Sequence, residues 1–93
     1  MTQRFQWHPL KNDSNRKKHK VSFDEATSVF DDPSREIFPD PDHSETETRF
    51  IALGTSGKAN LLFVSFVERG DVIRIISARK VTRCELHEYE EEN

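Results

Sequence analysis

Cysteine, glycine and long apolar runs are scarce in this 93-residue chain, and each scarcity excludes a class of protein. A single cysteine, Cys84, cannot form an internal disulfide, which is typical of a reducing compartment and predicts a cytoplasmic protein. The three glycines form neither a phosphate-cradling loop nor a Gly-x-Ser-x-Gly elbow. No run approaches the ~18 apolar residues of a membrane helix, and the first residues lack a secretory signal, so we expect no membrane partner.

The histidines and the cysteine do not form a metal-binding motif. The four histidines are scattered, without an i, i+4 pair and without a cysteine at zinc-finger spacing, at His8, His19, His43 and His87. The sequence therefore predicts neither a metal site nor a cofactor.

Charge is segregated along the chain, although the net charge is only −3. The first twenty residues carry +5, residues 21–50 carry −7, residues 51–83 carry +4 and the remainder carries −5. Two basic blocks that are separate in sequence can converge on one face of a fold, and such a face suits a polyanion. The overall acidity argues against a protein that coats nucleic acid indiscriminately.

Capping signals and apolar spacing predict three helices. Pro9 suits a first helical position, where its missing N–H costs nothing. Two segments begin with Ser or Thr followed three residues later by Glu, which is the pattern of a capping box. The predicted helices are residues 9–19, the segment from Ser22 to Asp31-Asp32-Pro33, and the segment from Thr82 through Tyr89.

Runs of β-branched and aromatic residues predict strands, and the segment 68–71 predicts a hairpin between the last two of them. The predicted strands are residues 5–7, 34–40, 49–53, 61–67 and 72–79, of which the first is short and the second is a short edge strand. The fold class is therefore α+β. We expect one domain over 1–93, with a small antiparallel sheet of three to four strands, two N-terminal helices, one C-terminal helix, and frayed ends at about 1–3 and 90–93.

Two arginines lie in the most apolar run, Val72–Arg79. Arg74 inside such a strand needs a carboxylate, a sheet edge or an anionic ligand, because arginine is rarely buried alone. The alternative is an arginine on the solvent face in a weak ion pair. Positions 74 and 79 differ by an odd number, so an ideal strand points them to opposite faces. Either the strand ends near Ser77, which frees Arg79 to turn back, or one arginine is structural.

These residue types suit cleavage of RNA. Arginine can bind a phosphate bidentately and stabilise the added charge of a five-coordinate transition state. Histidine, lysine, glutamate and tyrosine can move protons to and from the 2′-hydroxyl and the leaving 5′-oxygen. Because RNA supplies its own nucleophile, such an enzyme needs neither a metal nor a nucleophilic side chain.

Each candidate also has a structural interpretation. Arg69 at the hairpin is as consistent with a solvated charge in a turn as with a site residue. Glu68 could simply neutralise a neighbouring arginine. His19 could instead cap a helix C-terminus, and Tyr89 could pack on the sheet. Other polar and aromatic residues are interpreted structurally: Trp7 as core, and His43 with Glu47 and Arg49 as a loop-ordering network.

In combination, the motifs closely resemble the BrnT family of type II toxin–antitoxin systems over about residues 5–90. The most specific element is Arg74-Ile75-Ile76-Ser77-Ala78-Arg79 followed by Thr82, Arg83, Glu85 and Tyr89, and the second is the Lys18-His19 pair after a helix that contains Asn15. The remaining matching residues are Trp7, Pro9, Lys11, Val21-Ser22-Phe23, Glu25-Ala26, Val29-Phe30, Asp32-Pro33, Asp42-His43, Glu47, Arg49-Phe50, Gly54 and Glu68-Arg69-Gly70.

The resemblance implies a RelE-like ribonuclease fold that cleaves RNA, such as messenger RNA, without a metal and so inhibits translation. It also implies a BrnA-like ribbon-helix-helix antitoxin that covers the toxin and represses the shared operon, so operator DNA is contacted only through the antitoxin. The predicted catalytic residues are Lys18, His19, Glu68, Arg74, Arg79 and Tyr89, and the predicted RNA-binding residues are Lys17, Arg69, Ser77 and Arg83.

The chain departs from the family pattern at three places. His8 stands where the family usually has Asp, and Lys20 replaces the glycine expected after Lys-His. The last helix, which is often arginine-rich in the family, is here acidic, and this weakens phosphate attraction. The alternative function is therefore a catalytically weak relative that acts as antitoxin-binding partner and co-repressor of its operon.

Overall fold

The computed structural model describes residues 3–43 and 46–92, and within them the chain forms an α+β fold, as predicted. The strands are β1 (Arg4–Gln6), β2 (Glu36–Pro39), β3 (Arg49–Thr55), β4 (Leu61–Arg69) and β5 (Val72–Lys80). The helices are α1 (Pro9–His19), α2 (Phe23–Thr27), which continues as a 3-10 turn over Ser28–Asp31, and α3 (Arg83–Glu92), with a further 3-10 turn at Pro41–His43. No helix among the described residues is long and apolar enough to cross a membrane. Of the ends expected to fray, residues 1, 2 and 93 lie outside the described residues.

The sheet is larger than predicted and is not wholly antiparallel. Its five strands have the order β1-β5-β4-β3-β2, and β1 pairs with β5 in parallel, with Phe5 opposite Ile73. The expected three to four strands are therefore too few and the sheet is mixed, whereas the predicted antiparallel meander forms from β2 to β5. A strand of three residues is too short for its sequence pattern to show which strand it pairs with or in which direction. The partner of β1 also lies 68 residues further along the chain.

The core lies on one face of the sheet, beneath α2 and the 3-10 turn that follows it. Eleven buried residues form it: Val21, Phe23, Ala26, Val29, Ala52, Leu62, Val64, Phe66, Ile73, Ile75 and Ala78. Trp7 is partly buried against this core, as predicted, with its ring edge-on to Phe23 at 6.0 Å between centroids. We call this side of the sheet the helix face.

The cap predicted at Ser22 forms, but its second half does not. The Glu25 backbone N–H donates to the Ser22 hydroxyl at 3.0 Å, whereas the Glu25 carboxylate accepts from Ser56 at 2.7 Å and Asn60 at 2.8 Å. Burial raises the pKa of Glu25, but these two hydrogen bonds, with Lys58 nearby, lower it below its ordinary value. Glu25 therefore links α2 to the turn between β3 and β4 instead of closing its own helix.

Candidate functional site

Arg74 and Arg79 lie on the same face of the sheet, opposite the helix face. On β4 they pair with Val67 and Phe63, which alternate with core residues of that strand. The register changes between the Ser65–Ser77 and Phe66–Ile75 pairs, so that Ile76 is an extra residue in β5. This β-bulge shifts the alternation by one and cancels the odd spacing.

Two expectations about the pair are therefore wrong. The arginines do not point to opposite faces, and β5 does not end near Ser77 but continues to Lys80. Because β5 carries apolar residues on both faces, an extra residue does not visibly disturb its alternation of polar and apolar positions. The sequence therefore showed only the spacing of the two arginines and not the bulge.

We call this side of the sheet the arginine face. Its members come from all five strands and are defined by the register: Arg4, Gln6, Glu36, Phe38, Arg49, Ile51, Leu53, Thr55, Leu61, Phe63, Ser65, Val67, Arg69, Val72, Arg74, Ser77 and Arg79. Val67 is buried although it lies outside the core, and it separates Arg49 from Arg74 in one row across the sheet. The face is thus apolar in its middle, with cations along much of its border and Glu36 at its β2 edge, which suits an extended polyanion better than a small molecule.

Sequence analysis missed Arg49 as a member of this face. It was assigned to a loop network with His43 and Glu47, but it begins β3 and shares its face with Ile51 and Leu53. Of its two predicted partners, His43 lines a small cleft together with Arg49. The His43 ring lies 3.0 Å from the Asp40 carboxylate, and Glu47 binds Arg69. The alternation of Arg49 with the two aliphatic residues was the signal available in the sequence.

Arg79 is held by Glu85 at the start of α3. The two terminal guanidinium nitrogens donate to the two carboxylate oxygens, each at 2.8 Å, and the guanidinium lies 4.8 Å from the centre of the Phe63 ring. Hydrogen bonds from Arg79 and from the Thr82 backbone lower the pKa of Glu85 to about 2. The bond to Glu85 raises the pKa of Arg79 in turn, so both groups are charged near neutral pH.

The capping box predicted at Thr82 is complete. The Thr82 backbone N–H donates to Glu85 at 2.9 Å, and the Glu85 N–H donates to the Thr82 hydroxyl at 3.2 Å. Glu85 therefore serves both the helix and Arg79.

Arg69 is paired with Glu47 and not with its neighbour Glu68. Its Nε and Nη2 donate to the two oxygens of Glu47 at 2.9 and 2.6 Å. This contact raises the pKa of Arg69 and lowers that of Glu47. Glu68 pairs with Ile73 and points to the helix face, so the fold separates it from the arginine face. The expectation that Glu68 acts beside, or neutralises, an arginine of the site is wrong.

The basic end of α1 lies beside β5 but forms a separate cluster. Lys17 and Lys18 are exposed and His19 is half-buried, while Lys20 adopts the left-handed conformation (φ 61°) usual for a glycine cap. Across the described residues, no hydrogen bond or ion pair joins Lys18 or His19 to Arg74 or Arg79. The open cleft next to this end mixes cations with carboxylates: Asn12, Asp13, Arg16, Lys17, Lys20, Ser22, Asp24, Glu25 and Lys58.

The other predicted site residues fall on two elements. Ser77 is half-buried on the arginine face, between the two arginines of β5. Arg83 is exposed at the start of α3, and the Tyr89 backbone belongs to the same helix, but its side chain lies outside the described part of the chain. Within the described ranges, no three His, Cys, Asp or Glu side chains come together as a metal site would require.

Comparison with known proteins assigns the family. The family model described as the ribonuclease toxin BrnT of type II toxin–antitoxin systems matches residues 7–85. The fold is similar to the 1.1 Å crystal structure of the Brucella abortus ribonuclease toxin BrnT, with a TM-score of 0.69 and 22% identity over 88% of this chain and 100% of that chain. No curated protein matches. Because the family match spans most of the sequence, the chain belongs to the BrnT family of ribonuclease toxins of type II toxin–antitoxin systems.

Proposed function

We propose that this protein is a metal-independent endoribonuclease toxin that cleaves RNA by transesterification. The 2′-hydroxyl attacks the adjacent phosphorus, the bond to the 5′-oxygen breaks, and the products end in a 2′,3′-cyclic phosphate and a 5′-hydroxyl. The observation that supports this proposal best is the placement of Arg74 and Arg79 on one shallow face. Guanidinium groups there can bind phosphate oxygens and stabilise the charge that develops at phosphorus.

The two arginines are about 13 Å apart, because their partners Val67 and Phe63 are four residues apart on β4 and a strand rises roughly 3.3 Å per residue. We assign Arg79 to the scissile phosphate and Arg74, whose Nη1 donates to Gln6 at 3.0 Å, to a phosphate further along the same RNA strand. Ser77 between them is a candidate hydrogen-bond donor. Lys18 and His19 are the candidates for proton transfer, because α1 packs against the same strand.

The remaining predicted site residues take no direct part in the chemical step of this proposal. Glu68 is omitted, because it points to the helix face. One edge of the Arg69 guanidinium is already occupied by both oxygens of Glu47. Arg83 lies at the start of α3, at the margin of the arginine face. We therefore assign Arg69 and Arg83, together with Lys17, to electrostatic attraction of the RNA backbone. Tyr89 remains a prediction from the resemblance.

We further propose a cytoplasmic setting in which a BrnA-like ribbon-helix-helix antitoxin neutralises the protein. Cleavage of messenger RNA would inhibit translation when the antitoxin is lost. Contact with operator DNA would pass through the antitoxin, because the acidic net charge disfavours direct binding.

Inducible expression tests the proposal. Growth and protein synthesis should stop on induction and recover when the antitoxin encoded by the neighbouring gene is co-expressed. Purified protein should release fragments whose 5′ ends accept phosphate from a kinase directly, and whose 3′-terminal phosphate resists a phosphatase until the cyclic phosphate is opened. Fragments with a 3′-hydroxyl and a 5′-phosphate would contradict the 2′-hydroxyl mechanism.

One observation favours a second function, an antitoxin-binding co-repressor with weak activity. Glu47 and Glu85 already neutralise two cations of the arginine face, Arg69 and Arg79. This function predicts no growth defect on induction, together with tighter operator binding by the antitoxin when the protein is added.

A further inference from the structure

Among the described residues, the hydrogen bonds of Arg79 leave one edge of its guanidinium open. A guanidinium has five N–H donors. Nη1 donates to Glu85 at 2.8 Å and to the Lys80 carbonyl at 3.4 Å, and Nη2 donates once, to Glu85 at 2.8 Å. The two donors left over are Nε–H and the second N–H of Nη2, which lie side by side on the same edge.

The same edge binds an oxyanion elsewhere in this chain. On Arg69, Nε and Nη2 hold the two oxygens of Glu47 at 2.9 and 2.6 Å. The edge left open on Arg79 therefore has the geometry that takes two oxygens of a carboxylate or of a phosphate.

The open edge is also held in place. The Arg79 guanidinium lies over the Phe63 ring, and Glu85 is itself fixed by the Thr82 backbone N–H at the start of α3. A free arginine side chain must lose rotamer freedom when it binds a phosphate, whereas one that is already ordered loses less.

We propose that Glu85 is a positioning residue for Arg79: it holds the guanidinium end-on, so that the Nε–Nη2 edge stays open for the two oxygens of an RNA phosphate. The inference rests on the proposed function, in which Arg79 binds the RNA backbone. It makes Glu85 part of the site, although its charge opposes that of the RNA.

Glu85→Gln is the test variant. Glutamine also completes a capping box, so the start of α3 is preserved. Its amide nitrogen, however, faces an Arg79 nitrogen and cannot accept a hydrogen bond. Asp71→Asn is the matched control, because it removes the same charge from an exposed pair with Arg4 at 3.6 Å.

Single-turnover cleavage of an RNA oligonucleotide should slow at least about tenfold in Glu85→Gln and remain unchanged in Asp71→Asn. Since Glu85 acts through Arg79, adding Glu85→Gln to Arg79→Ala should produce no further loss. Equal or faster cleavage by Glu85→Gln, or additive losses in the double variant, would overturn the proposal.

A second measurement does not depend on cleavage. The Arg79 Nε–H resonance is followed by NMR while an uncleavable 2′-O-methyl RNA oligonucleotide is added. This resonance should shift in the wild-type protein, and a much higher RNA concentration should be needed to shift it in Glu85→Gln. A wild-type protein that cleaves no RNA but shows this pair of shifts would contradict the proposed function and leave the positioning role supported. An unmoved wild-type resonance, or equal shifts in both proteins, would overturn the positioning role.

Discussion

The side-chain amide of Asn15 pairs with the backbone of Ala78 as a neighbouring strand would. Its Nδ2 donates to the Ala78 carbonyl at 2.7 Å and its Oδ1 accepts from the Ala78 N–H at 3.2 Å. The same Nδ2 donates to the Val21 carbonyl at 2.9 Å. Because β1 covers β5 only at residues 72–74, this buried amide satisfies the strand edge beside Arg79 and attaches α1 to it.

Replacing Asn15 with alanine should destabilise the protein by about 2–4 kcal/mol, because three buried backbone groups lose their partner. Urea unfolding of the variant measures the loss. Ser14→Ala, an exposed position on the same helix, is the control and should change the free energy of unfolding by less than about 0.5 kcal/mol. A loss below about 1 kcal/mol in the Asn15 variant would mean that water replaces the amide.

Arg79→Lys should abolish most RNA cleavage while the fold persists. Lysine keeps the positive charge and an ion pair with Glu85. It lacks the planar fork of donors with which arginine can bind Glu85 on one edge and two phosphate oxygens on the other. We expect a destabilisation on the order of 1 kcal/mol from the lost bidentate contact, discounted because the Arg79 side chain is 42% exposed. Cleavage rates and urea unfolding are measured on the same preparations. Wild-type cleavage by Arg79→Lys would show that only charge matters at this position.

Local signals predicted the elements of this fold well. The caps at Ser22 and Thr82 each depend on residues within three positions. The β4–β5 hairpin depends on Gly70, which has φ +64° at the first turn position, as a type II′ turn requires. The pairing of β1 could not be predicted in this way, because its partner is chosen by tertiary packing.

The sequence singled out two arginines of the arginine face but could not predict their arrangement. Arg74 and Arg79 stood out by their apolar surroundings, yet only the extra residue Ile76 decides that they share a face. The partner of Arg69 lies 22 positions away in sequence, at Glu47, whereas the adjacent Glu68 points to the other face. Neighbours in a strand alternate sides, so proximity in sequence misleads there.

Acid should weaken the contact between α3 and the sheet over the pH range in which Glu85 becomes protonated. The pKa of this carboxyl is lowered from 4.5 to about 2 by its bonds to Arg79 and Thr82. A carboxylate with a lowered folded-state pKa contributes stability above its unfolded pKa and loses it as the pH falls towards the folded value. The stability difference between the wild-type protein and Glu85→Gln should therefore be constant above about pH 5 and shrink between about pH 4.5 and 2.

Urea titrations of both proteins across this range measure the difference directly. Comparison with the glutamine variant cancels the acid sensitivity of the other carboxylates whose pKa values are lowered, Glu25, Asp32 and Glu47. A difference that does not change with pH would mean that solvent screens the pair completely.

RNA cleavage should proceed at an unchanged rate in excess EDTA. The proposed reaction takes its nucleophile from the RNA and its charge stabilisation from arginine, so it uses no metal-bound water. The assay compares initial rates with and without the chelator, after dialysis and at fixed ionic strength. Loss of activity that one divalent ion restores would replace the proposed mechanism with a metal-assisted one.

The antitoxin should cover the basic surface formed by residues 16–20 together with 69–79. Lys17 and Lys18 are exposed and Arg69 is 46% exposed, so an acidic segment of a partner can reach all three. Binding between opposite charges should weaken as salt rises, since the screening length is only about 8–10 Å near physiological ionic strength. Hydrogen–deuterium exchange with and without the antitoxin maps the contact.

We expect protection at 16–20 and at the β4–β5 turn, where the amides are not already held by the sheet. Lys18→Glu combined with Arg69→Glu should weaken the complex and make its affinity less dependent on salt, because two of the cations that the antitoxin contacts are removed. Protection confined to residues 31–43 and 46–50 would instead place the antitoxin at the β2 edge of the sheet. Inhibition would then act at a distance, and the basic surface would serve RNA alone.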